Sequence, residues 1–190
     1  MGRAVPLSVR ERSGLERVRN AVVGRSMSRV CYWVLQPAPP LADLDVDRVH
    51  EVDSIEIGLD SGEVVRIRWA MAGSDEGLAL EVDPDPLEAP GLEMIEVGTS
   101  SRWSAMLGHP VTQMRGAWHV STENGEELLW AVSFRDAAGG ELTVALGEVQ
   151  DGVASYLPDS LVVLFSSAEA GEYEPLASRT SAWGEVIDPA

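Results

Sequence analysis

The chain has 190 residues, of which 45% are hydrophobic and 24% are charged, and its 31 acidic residues against 14 arginines give a formal net charge of -17. This size predicts one domain, or two small ones that share a core, and the apolar content is too high for a disordered chain. The strong acidity argues against direct nucleic-acid binding, and a single cysteine excludes a disulfide-rich scaffold.

The charge is distributed unevenly along the chain. Residues 1–30 contain seven arginines and two glutamates, a balance of +5, whereas residues 31–190 contain seven arginines and 29 acidic residues, a balance of -22. Such asymmetry predicts either an arm that docks on a partner or a basic helix that lies against its own acidic body. Because the opening residues lack an apolar signal and no run reaches 18 apolar residues, we expect a cytoplasmic protein without membrane contact.

The first predicted element is a helix. Ser13 and Glu16 have the spacing of a capping box, and an apolar stripe follows them as far as Val22. Gly24 comes next and is free to adopt the left-handed conformation that ends helices. We therefore expect a short amphipathic helix near the beginning of the chain.

Period-two alternation of apolar residues predicts the strands that follow. In the first half they are expected at 30–35, 55–59, 65–69 and 78–82. The second and third of these form a hairpin around the Asp-Ser-Gly turn at 60–62. Its exposed side carries Arg66 and Arg68 and can pair an arginine with Glu56 across the strands.

The second half repeats this order of elements. A short helix is expected at 101–107, followed by strands at 111–120, 128–134, 142–146 and 161–165. The fold class is therefore predicted as α+β, mainly antiparallel β, with about eight strands in two pseudo-symmetric halves that form a sandwich or barrel-like body. The expected organisation is a first half at 1–90, a second at 91–167 and a loosely ordered tail at 168–190, in one compact unit.

Arg115 and His119 are the candidate ligand-binding residues. They share the polar face of the strand predicted at 111–120, where four residues separate them by about 13 Å. A fairly large ligand could therefore contact both. The alternative interpretation is that this face is simply the solvent-exposed side of a sheet.

No catalytic residue, cofactor or metal site is predicted. Cys31 lies in a strand expected to be buried, where a thiol behaves as a small hydrophobic group. The alternating Asp43, Asp45 and Asp47 suggest a calcium loop, but Arg48 and Ser54 stand where an EF-hand requires glycine and an acid.

The hypothesis that the charge supports best is a non-enzymatic protein-interaction module that presents an acidic surface to a basic protein partner, as immunity and inhibitor proteins do. The acidic residues expected at this interface are Asp43, Asp45, Asp47, Asp83, Asp85 and Glu88. Two alternatives remain open: a small-ligand-binding protein or enzyme with a pocket in the β body, and a structural or assembly component. The sequence leaves the oligomeric state open.

Overall fold

The computed structural model describes residues 6–8, 12–40, 49–86, 90–120, 127–157, 159–173 and 179–183, and these contain three helices and thirteen strands. The helices are α1 (Arg12–Val22), α2 (Ser101–Ser104) and α3 (Ser167–Glu172). The strands are β1 (Met27–Leu35), β2 (Val49–Val52), β3 (Ser54–Leu59), β4 (Val64–Ala72), β5 (Asp75–Val82), β6 (Leu92–Glu96), β7 (Val111–Val120), β8 (Glu127–Asp136), β9 (Glu141–Leu146), β10 (Glu148–Gln150), β11 (Val153–Ser155), β12 (Leu161–Leu164) and β13 (Arg179–Trp183).

Most of these strands form two antiparallel sheets. Sheet 1 has the order β5-β4-β3-β1-β6, and sheet 2 has the order β13-β7-β8-β9-β12-β2, while β10 and β11 form a small ribbon. A single hydrophobic core lies between the sheets and is lined by the apolar face of each. The structure thus confirms the predicted α+β, mainly antiparallel, sandwich-like body.

The alternation read from the sequence explains which side chains fill this core. Ile55 and Ile57 of β3 and Ile67 of β4 are fully buried from sheet 1, and Val132 of β8 and Val144 of β9 are fully buried from sheet 2. Their neighbours along each strand point to the opposite face, because successive side chains alternate across a sheet.

The two sheets exchange edge strands. β2 lies between β1 and β3 in the chain but pairs with β12 at the edge of sheet 2, whereas β6 follows the acidic, proline-rich segment and pairs with β1 at the edge of sheet 1. The prediction of about eight strands was too low, since short edge strands such as β2 and β6 lack the long apolar alternation that identifies a central strand.

Each sheet contains a four-strand meander, β1-β3-β4-β5 in sheet 1 and β7-β8-β9-β12 in sheet 2. Meanders are common in unrelated antiparallel sheets, so this shared order does not establish that the halves arose by duplication. The internal symmetry of the two halves stays a prediction.

Residues 6–8 connect the two sheets at one side. The Leu7 amide donates to the Leu78 carbonyl of β5 at 2.9 Å, and the Leu7 carbonyl accepts from the Leu129 amide of β8 at 2.8 Å. The chain passes so close here that a Cβ atom on Gly77 would lie 2.9 Å from the Cβ atoms of Pro6 and Leu128. Glycine at position 77 therefore permits this junction between the sheets.

The basic N-terminal helix packs on its own protein. Val18 and Val22 of α1 are buried in the common core, and the helix contacts β5 and β7. Arg19 forms an ion pair with Glu16 at 3.1 Å, and the chain leaves the helix at Gly24, which has a positive φ of 84°. Two arrangements were expected for the basic opening segment: an arm that docks on a partner, or a helix that lies against its own protein. The described helix has the second arrangement.

A buried polar network joins both sheets and α2. The Tyr32 hydroxyl of β1 accepts from the Trp103 indole N–H at 2.6 Å and lies 2.9 Å from Nδ1 of His50 in β2. The hydroxyl can accept from Trp103 and donate to Nδ1 of His50 at the same time, because it has one proton and two lone pairs. All three side chains are buried, so this network stabilises the junction of the sheets rather than contacting solvent.

The segment expected to be a loosely ordered tail contains α3 and β13. The Ser166 side chain caps α3 by accepting from the Glu169 amide, and the buried Tyr173 hydroxyl after the helix donates to the Leu146 carbonyl of β9. β13 pairs with β7 at the edge of sheet 2. These contacts place α3 against the outer face of sheet 2.

Candidate functional site

The outer face of sheet 1 has carboxylates and arginines that neutralise each other. Arg66 of β4 donates from Nε to Glu56 of β3 at 2.9 Å, and its Nη1 lies 3.8 Å from Glu81 of β5. Arg68 also contacts Glu81, at 3.1 Å. The sequence predicted that an arginine of this hairpin pairs with Glu56 on the exposed side. The arginine is Arg66, and it is only 4% exposed. This face offers little free charge to a partner.

Two of the predicted interface residues border this face. Asp83 is exposed, has a positive φ of 49°, and accepts from the Val64 amide through Oδ1 at 3.0 Å. Asp85 is also exposed, and its carbonyl accepts from Arg66 at 2.8 Å. The other predicted interface residues, Asp43, Asp45, Asp47 and Glu88, lie outside the described residues.

A second group of carboxylates is linked by electrostatic repulsion between the two sheets, and we call it the acidic end. Its members come from β2, the β2–β3 junction, the start of β5 and the segment before β12; they are Glu51, Asp53, Asp75, Glu76 and Asp159. Burial raises the pKa of Asp53, and repulsion from Glu51 and Asp159 raises it further. Sequence analysis missed this group, because residues far apart in the chain meet only through strand order.

Glu76 occupies a similar position in the acidic end. Its pKa is raised by burial and then by repulsion from Asp159 and Asp75. Asp159 thus acts on both Asp53 and Glu76, which places it between the β2 and β5 contributions to the group. Within the described ranges, no group of three or more histidine, cysteine or acidic side chains is arranged to hold a metal ion.

His119 is not accessible to a ligand in the structure. It is 0% exposed, and its Nε2 lies 3.3 Å from the Glu76 carbonyl, which requires the proton on Nε2. Its Nδ1 has no hydrogen-bond partner in the part of the chain that the structure describes. The ring packs against Tyr156 and Trp130, and burial lowers the pKa of His119 below its usual range.

Arg115 lies instead in a cavity between α3 and the outer face of sheet 2, which we call the α3 cavity. Its volume is ≈ 210 Å³. The polar side chains that line it are Gln113, Arg115, Ser133, Arg135, Glu141, Thr143 and Ser167, and α3 contributes Ala170 and Gly171. His119 is not among these residues. The structure therefore separates the two predicted ligand-binding residues into different surroundings.

Strand register fixes the floor of the α3 cavity. Arg115 of β7 lies opposite Ser133 of β8, which in turn lies opposite Thr143 of β9. In the next row, Gln113 lies opposite Arg135, and Arg135 lies opposite Glu141. Because neighbouring strands are about 4.8 Å apart, these side chains form a compact polar surface.

One charge pair is already satisfied within this surface. Arg135 donates from Nε to Glu141 at 2.8 Å. Hydrogen bonds from Arg135 and Ser167 hold the pKa of Glu141 below its usual range, so this carboxylate is ionised at neutral pH. Sequence analysis identified Arg115 but missed the residues around it, because they come from three strands and a helix.

The cysteine that sequence analysis considered lies within a strand of sheet 1. Cys31 is buried in β1, and this burial raises the pKa of its thiol. The described helices include none long and apolar enough to cross a membrane.

The fold and these two sites define an α+β protein with an acidic end and a separate arginine-lined cavity. No protein-family model matches this chain, and neither the curated proteins nor the solved structures provide a match. Its function has to be argued from the sites themselves.

Proposed function

We propose that the protein is a non-enzymatic interaction module that binds a basic protein partner through its acidic end. The observation that carries this proposal is the mutual repulsion of five carboxylates that come from four separate positions in the chain. Carboxylates that repel each other in the free protein are stabilised when a cationic partner approaches, and complementary charge also speeds association.

The position of the basic helix supports this proposal. Arg17 and Val18 of α1 lie beside Leu80, Glu81 and Val82, at the far end of β5 from the acidic end. Six residues of strand separate Glu81 from Asp75, which corresponds to about 20 Å. That distance exceeds the screening length of about 8 Å at physiological salt, so Arg17 does not neutralise Asp75.

The distribution of arginines supports it as well. Arg66 and Arg68 pair with carboxylates of sheet 1, Arg29 pairs with Glu96, and Arg135 pairs with Glu141. These arginines offset acidic residues elsewhere on the protein. At the acidic end, neighbouring carboxylates raise the pKa values of Asp53 and Glu76 by repulsion, in addition to burial.

The test compares two variants that each remove three negative charges. The acidic-end variant combines Glu51→Gln, Asp53→Asn and Asp159→Asn, and the control variant combines Asp60→Asn, Glu93→Gln and Glu96→Gln on sheet 1. Each is immobilised beside the wild type and exposed to host lysate at low and high salt. We expect a basic protein to bind the wild type and the control variant at low salt and to be released at high salt.

The acidic-end variant should retain much less of the same protein, because its charge is removed at the contact itself. Equal loss in both triple variants would show that only net charge matters. A wild-type protein that retains no basic partner under any salt condition would contradict the proposal.

A further inference from the structure

We propose that the α3 cavity binds a small carboxylate ligand, with the guanidinium of Arg115 as the group that holds it. This site lies on the outer face of sheet 2 and goes beyond the proposed interaction function, because it uses none of the residues of the acidic end.

The first argument is that one part of the polar lining of the cavity, centred on Arg115, has no partner within the described residues. Within the described residues, the side chains of Gln113, Arg115, Ser133 and Thr143 form no hydrogen bond or ion pair with the protein, and Nε of Arg115 is buried without a partner. A buried charged donor is costly unless something accepts from it. The buried Nε donor of Arg115, which faces three further polar side chains across the cavity wall, therefore indicates that its acceptor comes from outside the chain.

The second argument is the local charge. The cavity contains Arg115, Arg135 and Glu141, so its formal balance is +1 in a protein whose net charge is -17. Because Glu141 is held by Arg135 and Ser167, the charge of Arg115 remains for a ligand. One free guanidinium matches a ligand with one negative charge, and its planar fork matches the two oxygens of a carboxylate.

The third argument is size and surroundings. The volume of ≈ 210 Å³ is below the range of about 300–1,000 Å³ typical of sites for drug-sized ligands. It equals the space of about seven water molecules. Ser133 and Thr143 supply hydroxyls beside Arg115, and Ala170 of α3 supplies an apolar contact. These features fit a short aliphatic carboxylate.

The experiment observes the arginine Nε–H resonances of the full-length protein by NMR during titration with acetate, propionate and butyrate. Sodium chloride at equal ionic strength is the reference titration, and inorganic phosphate is a separate arm. We expect the Arg115 Nε–H resonance to shift and saturate with the carboxylates, since a charge-assisted hydrogen bond deshields this proton. The other arginine resonances should remain nearly unchanged.

Arg115→Lys tests the role of the fork while it retains the charge. We expect its affinity for propionate, followed through backbone amides of β7 and β8, to fall about tenfold, the effect of losing one hydrogen bond to a charged group. Arg25→Lys, at an exposed position after α1, is the matched control and should bind like the wild type.

Three results would overturn the carboxylate site. They are linear shifts that never saturate, equal affinity in wild type and Arg115→Lys, and saturation with phosphate alone. The acidic-end triple variant should bind propionate as the wild type does. Failure of the basic-partner experiment would therefore leave this site standing, and failure here would leave the interaction proposal standing.

Discussion

Arg66 and Arg115 occupy equivalent places in the two sheets and have opposite surroundings. Each lies on the second strand from one edge, β4 in sheet 1 and β7 in sheet 2, and each is on a polar outer face. Arg66 lies opposite Glu56 on one neighbouring strand and Glu81 on the other, whereas Arg115 lies opposite Ser133. The same type of side chain is thus neutralised in one sheet, whereas in the other it has no partner among the described residues.

The comparison separates a structural charge from a binding charge. A guanidinium with carboxylates on both sides forms all its ion pairs within the protein, so its charge stabilises the fold and is not available to a ligand. A guanidinium beside hydroxyls and a cavity bears a desolvation cost that the fold does not offset, and a ligand can offset it on binding. The acidic end is a third arrangement, in which like charges meet.

The largest expected effect contrasts Arg66→Met with Arg115→Met. Arg66→Met leaves Glu56 without its cation and beside Glu81, which retains Arg68, and we expect it to lower the free energy of unfolding by about 3 kcal/mol. Arg115→Met removes a charge that has no partner in the described part of the chain, and we expect a change within about 0.5 kcal/mol. Urea denaturation of both variants measures this difference.

Arg29→Met is the control for this comparison. It removes an exposed ion pair with Glu96 and should cost less than about 1 kcal/mol. If Arg115→Met destabilised the protein as much as Arg66→Met, Arg115 would have a structural role and the contrast between the two faces would fail.

A smaller effect concerns His119, which is buried on β7 four residues beyond Arg115. Burial lowers the pKa of His119 in the folded protein, so between that pKa and the ordinary value of about 6.5 the unfolded chain binds more protons. The contribution of this neutral imidazole to stability is therefore present above the ordinary pKa and is lost as the pH falls through that region.

His119→Phe keeps the ring packing against Tyr156 and Trp130 and removes the titration. We expect the wild type to lose stability more steeply than this variant below about pH 6.5, as followed by urea denaturation across pH. Parallel pH profiles would show that His119 titrates alike in the folded and unfolded chains. The His119→Phe variant also loses the hydrogen bond to the Glu76 carbonyl. This loss lowers its stability by the same amount at every pH and leaves the slope of its stability profile unchanged.

Much of the fold was predictable because it depends on local alternation. Period-two patterns identified β3, β4, β7, β8 and β9, and the predicted bounds of β7 match those observed. The Arg66–Glu56 pair was predictable for the same reason, since a tight turn fixes the register of a hairpin. Short edge strands such as β2 and β6 escaped because their pairing depends on distant partners.

The candidate sites were less predictable than the fold. Arg115 was identified as one polar residue on a strand, but its cavity depends on β8, β9 and α3, which contact it only in the folded chain. His119 was assigned to the same site by alternation along β7. The alternation of side chains along a strand predicts which face of the sheet a residue is on, but it does not predict what packs against that face. Here aromatic rings pack against His119, whereas a cavity lies beside Arg115.

The smallest expected effect is at the acidic end. Asp159 is exposed and raises the pKa of Asp53 and Glu76 by repulsion, in addition to their burial. Carboxyl groups with raised pKa values favour the unfolded chain once the pH exceeds their ordinary range, so this repulsion destabilises the folded protein at neutral pH. Asp159→Asn should raise the free energy of unfolding by a few tenths of a kcal/mol near pH 7, as typical surface changes do, and the gain should disappear below about pH 4.

Asp60→Asn, in the β3–β4 turn, removes the same charge away from the acidic end. If it gave an equal gain in urea denaturation, the benefit would come from net charge, and the acidic end would hold no local repulsion for a basic partner to relieve.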